Sequence, residues 1–248
     1  MLKKICVILS CFSFLALFAT EKTLSGVEFM NILRDGIARN NGSSYAILDG
    51  TLEHIRRGDD ESQEYPIFMG VIITPERSMT QIIINNDEGY FISQTKQNNL
   101  IPMHKNLPDG TSKLEKSGLD PADLSMNFVY YDLVEELEKT KTKMVDCRVF
   151  LLKNPKSEEL VKIYVAEKYF FTLKAEFFAD SQAYQQDKKA RTLEISSFKK
   201  QNDLYYVEQF TIYGPGWRTI VCFEQAEINR FNPNDNKLIF RQLPKQYQ

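Results

Sequence analysis

The sequence predicts an α+β fold dominated by an antiparallel meander, and three observations carry that reading. Arg191–Lys199, Leu204–Tyr213 and Trp217–Glu224 are consecutive strand patterns separated by short polar or Gly/Pro turns. Three further strands, Arg148–Leu152, Leu160–Val165 and Phe170–Phe178, precede them, with Asn154-Pro155-Lys156-Ser157 and Ala179-Asp180 as turn material. Four more lie in the first half, behind an amphipathic helix. With Lys237–Gln242 as a candidate edge strand, about ten or eleven strands result.

Taken from the N terminus, Lys3 and Lys4, the uncharged apolar run Ile5–Phe18 and the small Ala19 spell a secretory signal peptide cleaved after Ala19. The run is shorter than the roughly 20 residues a spanning helix needs. Lipidation of Cys11 is the competing reading and would leave a much shorter apolar core. Residues 20–248 are expected to form one domain: 248 residues with 43% hydrophobic content suit one sizeable core, and no linker or repeat interrupts them. Losing Lys3 and Lys4 takes the formal charge from −2 to −4. Without a clustered basic stripe there is no electrostatic footprint for nucleic acid, and the chain left after cleavage is expected to have no stable membrane span.

Ser25-Gly26-Val27-Glu28 is a capping box, and Val27, Met30, Leu33 and Ile37 recur at helical spacing, so a helix is expected over Gly26–Arg39, closed by Asn40-Asn41-Gly42. Ser44–Arg57, Ile67–Thr74, Ser78–Ile84 and Tyr90–Thr95 then read as strands, with Asn85–Gly89 as a hairpin turn. Ile101–Leu114, holding Pro102, Pro108 and Asp109-Gly110, reads as a loop or lid.

Asp120-Pro121-Ala122-Asp123 opens a second helix, with Asp at the cap, Pro at the first position and a carboxylate where the helix dipole favours it. It is expected to run to about Tyr131, presenting Leu124, Phe128, Val129 and Tyr131 to a sheet. Val134–Lys143 either continues this helix loosely or forms a solvated hairpin. In the later strands Phe171, Leu173, Ala175 and Phe177 share one face, as do Trp217, Thr219, Val221 and Phe223. Gly214-Pro215-Gly216 is a tight turn, and the tail from Phe231 reads as an irregular arm.

Once Cys6 and Cys11 leave with the signal, Cys147 and Cys222 remain, each inside a strand. They are either two small buried hydrophobes or a bridge between strands. His54 and His104 are the two histidines of the chain, sit in no metal-ligand spacing, and read as satisfied surface groups. Asp59-Asp60-Glu61 and Glu135-Glu136 read as solvated charge runs. No nucleophile elbow and no phosphate loop is present. These patterns predict neither an enzyme, nor a metal site, nor a cofactor.

The order of motifs resembles the outer-membrane lipoprotein-sorting protein family. The resemblance runs from Leu24 to Asn229 through Asp120-Pro121-Ala122-Asp123-Leu124-Ser125, Phe128-Val129-Tyr130-Tyr131, Cys147–Pro155, Tyr164-Val165, Leu173-Lys174-Ala175-Glu176, Leu193–Lys200 and Tyr206–Ile212. That family is similar to the LolA-type periplasmic lipoprotein carriers. The resemblance implies an incomplete antiparallel β-barrel with helices across its open concave side and a cavity for acyl chains. The sequence departs from the family at Tyr169, and none of its arginines maps onto the carriers' lid-fastening arginine.

Phe171, Leu173, Phe177, Trp217, Val221 and Phe223 are the residues expected to line such a cavity, with Met30, Leu33, Leu124 and Phe128 on the covering helices. An ordinary filled core is the competing account of the same residues, since pockets and cores are lined alike. The expected function is a periplasmic carrier that shields lipid or lipoprotein acyl chains and exchanges them with inner- and outer-membrane sorting components. The alternative is a cell-envelope scaffold module that docks a protein and carries no lipid.

Overall fold

A computed structural model of the chain describes residues 24–38, 42–95, 100–106, 112–232, 234 and 237–242; the expected signal peptide and its cleavage site lie outside them. The first half contains α1 (Gly26–Ala38), β1 (Ser44–Arg56), β2 (Gln63–Ile73), β3 (Arg77–Ile84), β4 (Glu88–Thr95) and β5 (Leu100–Asn106). Short helices α2 (Lys113–Lys116) and α3 (Pro121–Ser125) and a 3-10 turn, Asn127–Tyr130, follow. The second half contains β6 (Asp132–Thr142), β7 (Val145–Lys153), β8 (Leu160–Ala166), β9 (Thr172–Phe178), α4 (Ser181–Gln185), β10 (Arg191–Gln201), β11 (Leu204–Gly214) and β12 (Trp217–Arg230).

Among the described residues all twelve strands form one antiparallel sheet, in the order β5-β4-β3-β2-β1-β12-β11-β10-β9-β8-β7-β6. Two meanders are spliced by the pairing of β1 with β12, and the sheet stays open, with β5 and β6 as its edges. The splice is bulged at Asp49/Gly50. Gly50 is required there, because a Cβ would come within 2.0 Å of the Cys222 carbonyl oxygen.

One face of the sheet is the core face. Leu48, Leu52, Ile67, Ile82, Ile84, Ile92, Phe150, Leu152, Val161, Ile163, Phe177, Phe210, Val221 and Phe223 lie in a single buried cluster with Phe29, Met30 and Leu33 of α1 and Leu124 and Phe128 beyond it. The alternation of side chains along each strand is what gathers them.

Both predicted helix starts are present. Ser25 Oγ accepts from the Glu28 N–H (3.2 Å) while Glu28 Oε2 accepts from the Ser25 N–H (2.8 Å). Asp120 and Asp123 form the same reciprocal pair at α3, with Pro121 in the first turn.

Four expectations are corrected. The second helix does not reach Tyr131: Met126 adopts a left-handed conformation (φ 50°), ends α3 and restarts the chain as the 3-10 turn. Val134–Lys143 is neither helix nor solvated hairpin but most of edge strand β6, whose Glu and Lys side chains discourage further pairing. Ile101–Leu114 is not simply a loop, since β5 and the start of α2 fall inside it.

Lys237–Gln242 adds no edge strand. It crosses the outer face instead, burying Ile239 against Tyr45 and Ile72. There the Gln81 side chain donates to the Arg241 carbonyl (2.8 Å) and accepts from its N–H (2.7 Å), so a side-chain amide takes the place of a ladder neighbour.

Candidate functional site

The core face between sheet and helices is the candidate site, and each cover is held by its own chemistry. Helix α1 lays Phe29, Met30 and Leu33 on the sheet, all buried. Phe29 stacks on Phe150 of β7 (centroids 5.5 Å apart) and on Phe170 (4.6 Å). Two arginines tie the helix down. Arg34 donates from Nε to the Val129 carbonyl (2.9 Å) and from Nη2 to the Tyr131 carbonyl (2.6 Å), joining α1 to the 3-10 turn. Burial pulls the Arg34 guanidinium below its ordinary range, and the nearby Asp132 carboxylate opposes that. Arg148, on β7, donates to the Leu24 carbonyl just ahead of α1 (3.0 Å), makes a forked pair with Glu136 (2.7 and 2.6 Å) and lies 4.5 Å over the Phe29 ring.

Helix α3 is held by a buried ion pair. Arg191 of β10 donates from Nε (3.2 Å) and Nη2 (2.9 Å) to Asp123 Oδ1, from Nη1 to Glu159 (3.2 Å), and covers the Phe177 ring at 4.0 Å. Asp123 is 0% exposed. The two partners shift in ways that pull apart. Burial lifts the Asp123 carboxyl above its ordinary range against the pull of Arg191, whereas burial of Arg191 is outweighed by Asp123 and Glu159 and its guanidinium is raised. Arg191 is therefore the anchor, because a guanidinium does not deprotonate in proteins and keeps its charge on the carboxylate.

Helix α2 is held by neutral hydrogen bonds, a buried carboxylate and an ion pair between Lys113 and Asp87 (3.0 Å). Thr219 of β12 donates to the Ser117 carbonyl (2.5 Å), which uses its one hydroxyl proton, so His54 Nδ1 must be the donor in the 2.8 Å contact with Thr219. His54 Nε2 then accepts from Arg56 Nε (3.2 Å). His54 is thus a buried, satisfied histidine rather than a surface one. Burial first, then the Arg56 charge, lower its pKa, with the Ser117 backbone and Asp59 working the other way. At the other end of α2, Glu88 Oε2 accepts from the Lys113 N–H (2.5 Å) and Glu88 Oε1 from Ser112 Oγ (2.8 Å).

The residues expected to line a cavity separate into three groups. Phe177, Val221 and Phe223 are on the core face and buried, Phe177 edge-on to Phe128 at 5.3 Å. Trp217 sits at the end of β12, wedged against two glycines: a Cβ on Gly118 or Gly214 would meet its ring at 2.4 or 2.1 Å. Phe171 and Leu173 do not join them. A bulge opposite Tyr164/Val165 turns Leu173 to the outer face with Cys147, Val149 and Tyr164, and Phe171 stacks outside the core cluster on Phe198 and Tyr205. The four cover residues Met30, Leu33, Leu124 and Phe128 are all buried in the core cluster. Side chains occupy this interior, and a groove of about 430 Å³ lies instead on the outer face beside Asp49, Glu224 and Arg241, bordered by none of the six expected cavity residues.

Cys147 and Cys222 are free thiols, so of the two readings of the pair the bridge is not formed; Cys147 is buried and Cys222 half-buried. They sit on β7 and β12, five ladder steps apart, roughly 24 Å along the sheet. Glu136 of the Glu135-Glu136 run is likewise not a bystander, since it pairs with buried Arg148. Among the described residues no three His, Cys, Asp or Glu side chains converge as metal ligands, and no helix is long and apolar enough to cross a membrane.

The sequence reading passed over the three arginine fasteners. Arg148 carried a usable signal, a lone charge inside Cys147–Leu152. Arg34 and Arg191 looked like ordinary solvated charges.

The open twelve-stranded meander with its short helical covers decides the architecture. The fold is LolA-like. It superposes on an assigned outer membrane lipoprotein-sorting protein domain from Vibrio parahaemolyticus with a TM-score of 0.61 and 13% identity, covering 83% of this chain and 94% of that one. A DUF1329 family protein from Desulfovibrio piger gives 0.60 at 14% identity, over 84% and 93%. A LolA superfamily protein from Nitrosomonas europaea gives 0.56 at 13% identity, over 88% and 99%. No protein-family model and no curated protein matches the chain.

Proposed function

We propose that the protein is an exported, non-enzymatic carrier that shields the acyl chains of a lipid or lipoprotein on the core face of its half-barrel. The observation that carries the proposal is how α1 covers that face: by three apolar side chains and by arginine bonds to neutral carbonyls. Burying Phe29, Met30 and Leu33 is worth roughly 5–9 kcal/mol, at about 1.5–3 kcal/mol for each large apolar side chain. An acyl chain covering ten methylenes returns about 8 kcal/mol at 0.8 kcal/mol each. The exchange of α1 for a hydrocarbon chain is therefore close to balanced, and a filled interior is the resting state of a carrier whose helix stands in for cargo. The LolA-like fold and the lipoprotein-sorting assignment of one of its structural neighbours support the same reading.

The filled interior also favours the second reading, a cell-envelope scaffold that docks a protein and takes no lipid. One experiment separates them. Protein purified from its native compartment is extracted with organic solvent, and the delipidated protein is titrated with a fluorescent acyl probe. A carrier yields lipid in the extract and saturable probe uptake. An empty extract together with no uptake leaves the scaffold.

A further inference from the structure

We propose that one rim of the half-barrel is a docking surface for anionic lipid bilayers. In a meander alternate turns fall at the same end of the sheet, and here three of them touch. The β6–β7 turn (Lys143, Met144), the β8–β9 turn (Glu167–Phe171) and the β10–β11 turn (Asn202, Asp203) are tied by the Glu167 N–H to the Asp146 carbonyl (3.0 Å), by Lys143 Nζ to the Ile195 carbonyl (2.7 Å), and by Phe171 stacking on Phe198 and Tyr205.

This rim presents apolar side chains to solvent: Met144 is 89% exposed, Tyr169 57% and Tyr205 55%. Each tyrosine has a lysine over its ring, Lys168 on Tyr169 and Lys200 on Tyr205, both at 5.5 Å. Tyrosine with a neighbouring cation is the pairing that suits the headgroup level of a bilayer, with the ring in the interface and the ammonium on phosphate.

The β6–β7 turn is odd in the same direction. Among the described residues three hairpins turn through two non-glycine residues with φ > 0, and two of them use the residues that tolerate it, Asn85-Asn86 and Asn202-Asp203. The third uses Lys143 and Met144, at φ 50° and 66°, and so holds a thioether side chain at the tip of the rim.

Charge selects the occupant. Residues 141–146, 166–171 and 199–205 carry five lysines against three carboxylates, a local +2 on a chain whose formal charge is −2. An anionic bilayer matches that sign. The rim is a surface property and does not depend on the interior opening to cargo.

The test is flotation of the delipidated, otherwise intact protein with phosphatidylglycerol/phosphatidylcholine vesicles and with pure phosphatidylcholine vesicles. Each net lysine near an anionic surface is worth about fivefold in affinity, so binding is expected to be roughly 25-fold tighter to the mixed vesicles and to weaken in high salt. The triple variant M144S/Y169S/Y205S, changed where the side chains are largely solvated and giving up only the Tyr205–Phe171 contact, should fold cooperatively with at most a slightly lower melting temperature and lose binding to both vesicles. Lys168→Gln with Lys200→Gln should keep the apolar contact and lose the preference for phosphatidylglycerol. Equal affinity for the two vesicle types, unchanged binding by the triple variant, or no vesicle binding would each overturn the proposal, the last leaving the rim to a protein partner. None of these results bears on acyl-probe uptake.

Discussion

Helices α1 and α3 cover the same sheet, but arginines fasten α1 through carbonyl oxygens and α3 through a carboxylate. Arg34 and Arg148 donate to the carbonyls of Val129, Tyr131 and Leu24, acceptors that water replaces at little loss once the helix lifts. Arg191 donates to Asp123, a carboxylate with no exposed surface, and lifting α3 would strand two charges. The difference assigns the two covers different roles. Helix α3 is part of the frame, and under the proposed carrier function α1 is the element that a cargo would displace.

Breaking the fixed cover has the largest expected effect. Arg191→Met leaves Asp123 buried and unpaired and is expected to cost about 3–5 kcal/mol of unfolding free energy, measured by urea denaturation. Asp123→Asn should cost less than Asp123→Ala, because it keeps an acceptor for the Asp120 N–H. If Arg191→Met instead left stability intact while speeding acyl-probe uptake, α3 rather than α1 would be the moving part.

Loosening the movable cover is the next step down. Arg34→Met removes two charge-assisted bonds to carbonyls and is expected to cost about 1.5–3 kcal/mol. Its distinguishing effect is kinetic: probe uptake should become faster, while Arg191→Met should show no such gain. Stopped-flow fluorescence on both variants reads the contrast directly.

Helix α2 extends the contrast to a cover whose C-terminal link is uncharged, although a Lys113–Asp87 ion pair (3.0 Å) secures its start. Its link runs from Ser117 through Thr219 to a neutral His54, whose pKa burial and Arg56 hold below the usual histidine range. The unfolded chain therefore takes a proton that the folded chain refuses. The stabilisation from neutral His54 is complete above the ordinary histidine pKa of about 6.5 and declines as pH falls from there through the folded-state value. Urea denaturation between pH 7.5 and 5 should show that decline, and His54→Gln, which keeps a donor for Thr219, should flatten it. An unchanged slope in His54→Gln would move the acid sensitivity elsewhere.

What could be read from the residues was what local chemistry dictates. The reciprocal caps at Ser25/Glu28 and Asp120/Asp123 are settled within four residues, and most of the strands by their period of two. What could not be read was set by distant neighbours. The stop at Met126 uses a left-handed methionine where a glycine would have signalled it. Strand β6 reads as a solvated segment because both its faces are charged, and it pairs only because β7 offers an edge. Leu173 changes face because it is the extra residue of a bulge that only its pairing with β8 defines, and the arginine fasteners depend on carbonyls and a carboxylate 68 to 124 residues away: Arg191 with Asp123, Arg34 with Val129 and Arg148 with Leu24.

The smallest expected effect concerns the sheet on which all three covers rest. Cys147 lies next to Arg148, which holds α1, and Cys222 lies three residues beyond Thr219, which holds α2, so a bridge between them would have coupled the two attachments. They are instead free thiols five strands apart, and burial raises the pKa of both, which keeps them protonated and slow to oxidise. Reductant should leave the urea midpoint where it is, and Cys222→Ser should shift stability by no more than about 0.5 kcal/mol, as for a substitution outside the packed core. Thiol titration of the unfolded protein should count both cysteines as free. A midpoint that dropped on reduction would mean that the strands between β7 and β12 can fold into an arrangement that brings the thiols together, and the independence of α1 from α2 would fall with it.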